Sequence, residues 1–245
     1  MRRIGVLVVV AVVASACAAG GGAGSRHRLT VFAAASLGDA FGAMAKPFAD
    51  AHDGYAVTFS FAGSQQLVAQ LQQGAKADAL ATADRQTMDA VPAGGRTAPY
   101  VFAGNRLVIA VSRGNPHQIH TLADLARPGL KVVLAAPAVP AGKYARQALT
   151  KAHVSVSPVS LEDSVEGVVT KVGLGEADAG IVYATDATAA RNVDAVAIPD
   201  AQNVLAEYPV TALTPAGRQF VAFLRSTTGQ AILRRFGFLP PPATP

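Results

Sequence analysis

One local pattern recurs along this chain: an apolar run suited to a buried strand, a short polar turn, and then apolar residues at helical spacing. Residues 29–34 form such a run, and residues 37–48 then place apolar side chains on one face of a helix. Residues 57–61 and 65–73 repeat the pattern, with a Gly-Ser turn between them. Strand–turn–helix units in series are typical of α/β folds with a largely parallel sheet.

The same alternation continues to the C-terminus. No repeat of fixed period and no polar linker divides the chain into consecutive domains, so two lobes would require the chain to cross between them. The further strand predictions are 78–82, 107–111, 131–135, 179–183, 193–198 and 208–212, and the further helix predictions are 142–151, 165–172, 215–226 and 228–236.

The N-terminus has the pattern of a secretory signal. Arg2 and Arg3 precede an apolar run at 5–14 that is too short to span a bilayer but suits a signal peptide. We therefore assign residues 1–16 to a signal peptide and exclude them from the fold.

Cys17 is the only cysteine in the chain, so no intramolecular disulfide is possible. It ends an Ala-Ser-Ala-Cys stretch that resembles the lipobox of bacterial lipoproteins, in which the cysteine is acylated and becomes the new N-terminus. Residues 17–28 begin with an Ala/Gly-rich segment that suits a flexible tether. The sequence therefore predicts an extracytoplasmic protein anchored through Cys17 to the outer face of the cell membrane.

Composition excludes some classes of function. Hydrophobic residues make up 51% of the chain and charged residues 15%, which favours a compact body over a disordered one. The formal net charge is +5, or two units less without Arg2 and Arg3. No Lys/Arg-rich run and no basic patch interleaved with aromatic residues occurs, so we expect no nucleic-acid partner.

Seven segments, in order and spacing, carry a family resemblance. They are VFAAASL at 31–37, FAGS at 61–64, ADALATAD at 77–84, VPAGKYA at 139–145, SVEG at 164–167, GIVYATDA at 180–187 and EYPV at 207–210. Together they resemble the periplasmic molybdate-binding proteins of bacterial ABC transporters. The resemblance runs over about residues 29–239.

This resemblance implies the α/β, two-lobed type II periplasmic-binding-protein fold, a Venus flytrap with mixed, mainly parallel sheets and two crossover strands. Lobe 1 would comprise residues 29–105 plus 212–239, and lobe 2 residues 106–211. The implied function is to capture molybdate, and also tungstate, between the lobes and to deliver it to the permease and ATPase subunits of an ABC importer. The resemblance implies a monomer that is not an enzyme and needs no cofactor.

The resemblance also implies an oxyanion site made of Ser36, Ser64, Ala141, Val165 and Tyr183. A fully deprotonated tetrahedral oxyanion offers only acceptors, so its site needs hydroxyl and N–H donors. The two serines and Val165 fall at predicted helix starts, where free N–H groups and the helix dipole favour anions. Molybdate would be distinguished from sulfate by the size of the cavity.

Other interpretations of the same residues remain open at this stage. Ser36 and Ser64 could be helix N-caps, and Tyr183 could be a packing residue at a strand end. His117 and His120 are spaced i, i+3, but no third ligand is evident, so we expect no metal site.

Other functions also remain open. A protein of the same fold could bind sulfate, phosphate, an iron chelate or an organic anion. A secreted serine hydrolase is the alternative from a different class, although no Gly-x-Ser-x-Gly motif occurs.

Overall fold

The computed structural model describes residues 27–242. It consists of two five-stranded sheets flanked by helices, which confirms the α/β fold class predicted from the alternation of strands and helices. The predicted signal peptide, the predicted lipidation site Cys17 and most of the predicted tether lie outside the described residues. Within residues 27–242, no helix combines the length and apolar character needed to cross a membrane.

The first sheet has the strand order β2-β1-β3-β10-β4. Its first three members are parallel, whereas β10 runs antiparallel to both of its neighbours. The strands are β1 (His27–Ala34), β2 (Tyr55–Ala62), β3 (Ala79–Ala81), β4 (Tyr100–Asn105) and β10 (Ala206–Ala212).

The second sheet has the order β7-β6-β8-β5-β9. Here β6 is parallel to β7 and β8, and β5 is antiparallel to β8 and β9. The strands are β5 (Leu107–Ser112), β6 (Val132–Ala135), β7 (Ser160–Glu162), β8 (Ala179–Tyr183) and β9 (Val193–Ala197).

The helices follow the strand ends. In the first of them, the apolar side chains of Phe41, Met44 and Phe48 recur on one face and are fully buried, which is why this segment forms a helix against the sheet. The helices are α1 (Gly38–Ala51), α2 (Ser64–Gln72), α3 (Arg85–Asp89), α4 (Pro140–Lys151), α5 (Val165–Gly173), α6 (Ala184–Ala189), α7 (Gly217–Arg225) and α8 (Thr227–Arg235).

The chain crosses from one sheet to the other at two places. Only Arg106 separates the end of β4 from the start of β5. The return lies between β9 and β10, and β10 pairs with β3 and β4 along its length. The chain is therefore back in the first sheet from Ala206 onwards. The sequence analysis put the boundary between the lobes later, at position 212.

The mixed strand direction has a specific origin. Strands β5 and β10, one in each sheet, make all of the antiparallel pairs between the ten strands named above, and the other strand pairs are parallel. These two strands directly follow the crossings. A chain that enters a sheet from the other lobe need not run in the same direction as strands joined by local helices.

The elements that the sequence analysis omitted are short or lack a strand pattern. Strand β4 ends in Gly104 and Asn105, residue types that are depleted in strands, and it forms an edge of its sheet. Strand β7 has three residues and α6 has six, too few for a periodicity to be detected.

Candidate functional site

A small cavity lies between the two lobes, where strand ends of both sheets face the starts of helices. The cavity is small, with a volume of about 10 Å³ that corresponds to about one water molecule, so it favours a compact ligand over a bulky one. The lining residues include all five predicted site residues: Ala34, Ala35, Ser36, Gly63, Ser64, Ala83, Val139, Pro140, Ala141, Ser164, Val165 and Tyr183.

Ser64 is the first residue of α2 and is 2% exposed. Its Oγ accepts a hydrogen bond from the backbone N–H of Ala83 at 3.1 Å. Because this bond uses an acceptor position of the hydroxyl, the Ser64 proton remains available to a ligand. The side chain does not cap its own helix, whose N-cap residue is Gly63, so the N-cap interpretation of Ser64 does not hold.

Ser36 lies in a single 3₁₀ turn, Ala35–Leu37, directly after β1. Its Oγ is 3.0 Å from the Tyr208 hydroxyl, and the Asn105 amide nitrogen lies 3.5 Å from that same hydroxyl. This contact allows the Tyr208 hydroxyl to donate to the Ser36 oxygen, an arrangement in which the Ser36 proton can be donated into the cavity. Ser36 does not cap a helix either, since neither the 3₁₀ turn nor α1 has a side-chain cap.

Backbone N–H groups come from the second lobe. Ala141 is the second residue of α4, which begins at Pro140 and has no side-chain cap. Val165 is the first residue of α5, where Ser164 caps the Gly167 N–H instead. The first N–H groups of a helix have no intrahelical partner and carry the positive end of its dipole. Both amides therefore suit an anion.

Tyr183 ends β8 and is 1% exposed. Among the described residues its hydroxyl has no hydrogen-bond partner, which is unfavourable for a buried polar group unless a ligand or water completes it. Burial raises the pKa of the Tyr183 phenol well above its usual value. The hydroxyl therefore keeps its proton and can act as a donor.

None of the described residues that line the small cavity carries a charge. The hydroxyls of Ser36, Ser64 and Tyr183 and the amides of Ala141 and Val165 offer donors without a counter-ion. Several converging donors to a charged acceptor form strong, short hydrogen bonds. The arrangement can hold a fully ionised oxyanion without the help of an arginine or lysine in the cavity.

A larger cavity of about 710 Å³ adjoins the small one at Ser36. Its walls include the acidic residues Asp39, Glu166 and Asp186 and the basic residues Arg234 and Arg235. The pKa values of Glu166 and Asp186 are raised, mainly by burial. This cavity therefore differs from the small one, whose lining is uncharged and contains all five predicted site residues.

One of the two histidines, His117, contacts an acidic side chain. His117 Nε2 lies 3.1 Å from Asp178 Oδ1, on the surface of the second lobe. In residues 27–242 no group of three or more His, Cys, Asp or Glu side chains is placed to hold a metal ion.

Two residues that support the site were not identified from the sequence. Tyr208 and Lys143 both lie in the segments that carry the family resemblance, which was the available signal. Their partners, Ser36 and Asp84, are far away along the chain. Local pattern alone does not predict such pairs.

Comparisons with known proteins relate this chain to solute-binding proteins. Residues 29–239 match the family of bacterial extracellular solute-binding proteins. The molybdate-binding protein ModA of Mycobacterium tuberculosis strain H37Rv is 43% identical over 221 residues, covering 87% of this chain and 85% of the relative.

Two solved structures share the architecture. The periplasmic molybdate-binding protein of Azotobacter vinelandii has a TM-score of 0.73 at 20% identity and covers 87% of this chain and 99% of its own. The sulfate-binding protein SubI of Mycobacterium tuberculosis H37Rv has a TM-score of 0.74 at 19% identity, with 87% and 86% covered. At these identities the two structures establish the two-lobed fold alone.

Proposed function

The chain belongs to the bacterial extracellular solute-binding proteins and, within them, groups with the molybdate-binding proteins, and from this premise we propose that it captures molybdate between its two lobes. Its relatives are solute-binding proteins of transport systems and not enzymes. The serine-hydrolase alternative is therefore set aside.

The observation that carries this proposal is a small, uncharged cavity in which donors converge from both lobes. Molybdate at neutral pH is a dianion with acceptors only, so three hydroxyls and two amides match its needs. Phosphate near neutral pH keeps a proton part of the time, and the lining of this cavity has no carboxylate to accept that proton. Tungstate has nearly the same size and charge as molybdate, and we expect it to bind as well.

Sulfate is the second candidate ligand. The fold is shared with a sulfate-binding protein, and the donor set is chemically acceptable for sulfate too. Discrimination between the two anions then depends on the size of the cavity, since sulfate is the smaller one and would make longer hydrogen bonds to the same walls.

Closure would couple capture to transport. Ser36 and Ser64 belong to the first lobe and Ala141, Val165 and Tyr183 to the second, so an anion can contact all five only when the lobes are closed. A closed, loaded protein is the form that the permease and ATPase subunits of an ABC importer would recognise. The protein would act as a monomer outside the cytoplasm, held at the membrane by a lipid on Cys17.

Isothermal titration of the purified protein with molybdate, tungstate, sulfate and phosphate tests the proposal. We expect tight binding of molybdate and tungstate and weak or absent binding of the other two. Tight binding of sulfate alone would replace the proposed ligand with sulfate. Binding of phosphate would contradict the argument that the cavity disfavours a protonated anion because its lining has no carboxylate.

A further inference from the structure

Lys143 connects the two lobes beside the small cavity. It lies in the first turn of α4, in the second lobe, and its Nζ donates to Asp84 Oδ2 at 2.9 Å and to Thr87 Oγ1 at 3.1 Å. Asp84 and Thr87 belong to the first lobe, at the start of α3. The carboxylate of Asp84 is almost fully buried, with 6% of its side chain exposed, so this is not a solvated surface pair.

The next residue makes a second connection. The hydroxyl of Tyr144 accepts a hydrogen bond from the backbone N–H of Glu207 at 3.3 Å, and Glu207 lies on β10 of the first sheet. Two consecutive side chains of α4 therefore bind the opposite lobe.

These contacts share a rigid element with the anion site. Ala141, whose amide faces the cavity, precedes Lys143 by two positions in the same helical turn. Lys143 does not line the small cavity, whereas Ala141 does. Movement of α4 away from the first lobe would break the Lys143 contacts and withdraw the Ala141 donor together.

We propose that Lys143 and Asp84 form a closing clasp that sets the affinity and the residence time of the bound anion without touching it. This inference rests on the proposed function. Contacts that exist only in the closed state shift the equilibrium towards closure, and the apparent affinity of a ligand rises with the population of the binding-competent state.

Simple electrostatics offers a competing explanation, and Asp84 separates the two. If Lys143 acted only as a positive charge near the anion, removal of the Asp84 charge would strengthen anion binding. The clasp requires the opposite, because Asp84→Asn removes the partner of Lys143. The variant is also conservative, since an asparagine oxygen can still accept the Thr87 N–H bond that Asp84 makes at 2.7 Å.

The test compares Lys143→Met, Asp84→Asn and the double variant with a control, Lys46→Met. Lys46 pairs with Asp50 on the exposed surface of α1, so the control loses the same charge without affecting a contact between lobes. Affinity is measured by titration with molybdate, and release is measured as the loss of radiolabelled molybdate after dilution.

We expect each single clasp variant to bind about tenfold more weakly, mainly through faster release, and the double variant to resemble the single ones. The control should match the wild type. Tighter binding by Asp84→Asn, or an equal loss in Lys46→Met, would overturn the clasp.

The failure of the proposed function can be distinguished from the failure of the clasp. A wild-type protein that binds sulfate but not molybdate would refute the ligand assignment, and the same variants would then be titrated with sulfate. Small-angle X-ray scattering of the anion-free proteins gives a second readout, in which Lys143→Met should have a larger radius of gyration than the wild type. Equal affinity and equal radius would overturn the clasp whichever anion binds.

Discussion

At the scale of single residues, each of the two serines of the site contacts a group that can donate to its oxygen. Ser64 receives the Ala83 N–H at 3.1 Å, and Ser36 lies 3.0 Å from the Tyr208 hydroxyl. Burial raises the pKa of Tyr208 well above its usual value, so it remains a neutral phenol that can donate to Ser36. With these groups as donors, both serine protons are available to an anion in the cavity.

We predict that Ser36→Ala and Ser64→Ala each weaken molybdate binding by about 1–3 kcal/mol, the cost of removing one donor from a buried charge. Titration of each variant measures the change. Ser226→Ala is the matched control, because Ser226 caps α8 through the Gly229 N–H, donates to the Phe223 carbonyl oxygen and does not line the small cavity. It should lower thermal stability by about 1 kcal/mol and leave affinity unchanged. Unaltered affinity in both cavity variants would refute the site assignment.

A pH dependence follows from Asp186. Burial, followed by the nearby Glu166, raises its pKa well above the usual value. The folded protein therefore holds a proton that the unfolded chain releases from about pH 4 upward. The stability contributed by this group is fully present below the unfolded pKa and is lost as pH rises through the folded pKa.

We therefore predict that Asp186→Asn flattens the decline of stability from about pH 5 to about pH 8. Denaturant midpoints of the wild type and the variant across this range measure it. Asp53→Asn, at an exposed turn position, should keep the wild-type slope. A steeper decline in Asp186→Asn would contradict the assignment of a protonated, buried carboxyl group.

At the scale of elements, the start of α4 is fixed by close packing on the end of β6. A Cβ on Gly142 would lie 2.2 Å from the Ala136 carbonyl oxygen and 2.3 Å from that of Ala135. Only glycine allows the helix to begin so close to the strand. This approach places the Ala141 amide at the cavity and Lys143 within reach of Asp84.

We predict that Gly142→Ala destabilises the protein by about 1–3 kcal/mol, the usual range for overpacking, and also weakens anion binding because α4 is displaced. Thermal unfolding and titration measure the two effects. Gly42→Ala is the control, since an added Cβ there has no atom within 4 Å. In the exposed middle of α1, it should stabilise by roughly 0.5–1 kcal/mol. A neutral Gly142→Ala would contradict this account of α4.

At the scale of the whole molecule, the cavity exists because the lobes meet on more than one side of it. On the α4 side Lys143 binds Asp84. Near Gly63 the Gln65 amide donates to the Asp163 carbonyl oxygen at 2.9 Å, and a Cβ on Gly63 would lie 2.6 Å from that oxygen. Closure therefore needs a small residue at position 63 as well as the clasp.

The proposed membrane anchor belongs to the same scale, because Cys17 precedes the described residues 27–242. We predict that Cys17→Ala releases the protein from the cell membrane without any change in anion affinity. Fractionation of cells that express the variant, followed by titration of the released protein, measures both properties. A variant that remained with the membrane would exclude Cys17 as the anchor, whereas a loss of affinity would mean that the tether contributes to the site.

The sequence alone determined the fold class and most elements, because burial periodicity is a local property. The helical spacing of Phe41, Met44 and Phe48 is one example. It also identified the five residues that now line one cavity, through segments that resemble a known family. That assignment remains a prediction until binding is measured.

Only the tertiary structure determined which distant residues meet. Ser36 with Tyr208, Lys143 with Asp84, and β10 within the first sheet all join positions remote in sequence. Such pairs leave no periodic signal, since each partner occupies an ordinary position in its own element. They depend on how the two lobes pack against each other. That packing is determined by many weak contacts between residues from the whole chain. The partners of the two serines and the closing contacts therefore became visible only in the folded molecule.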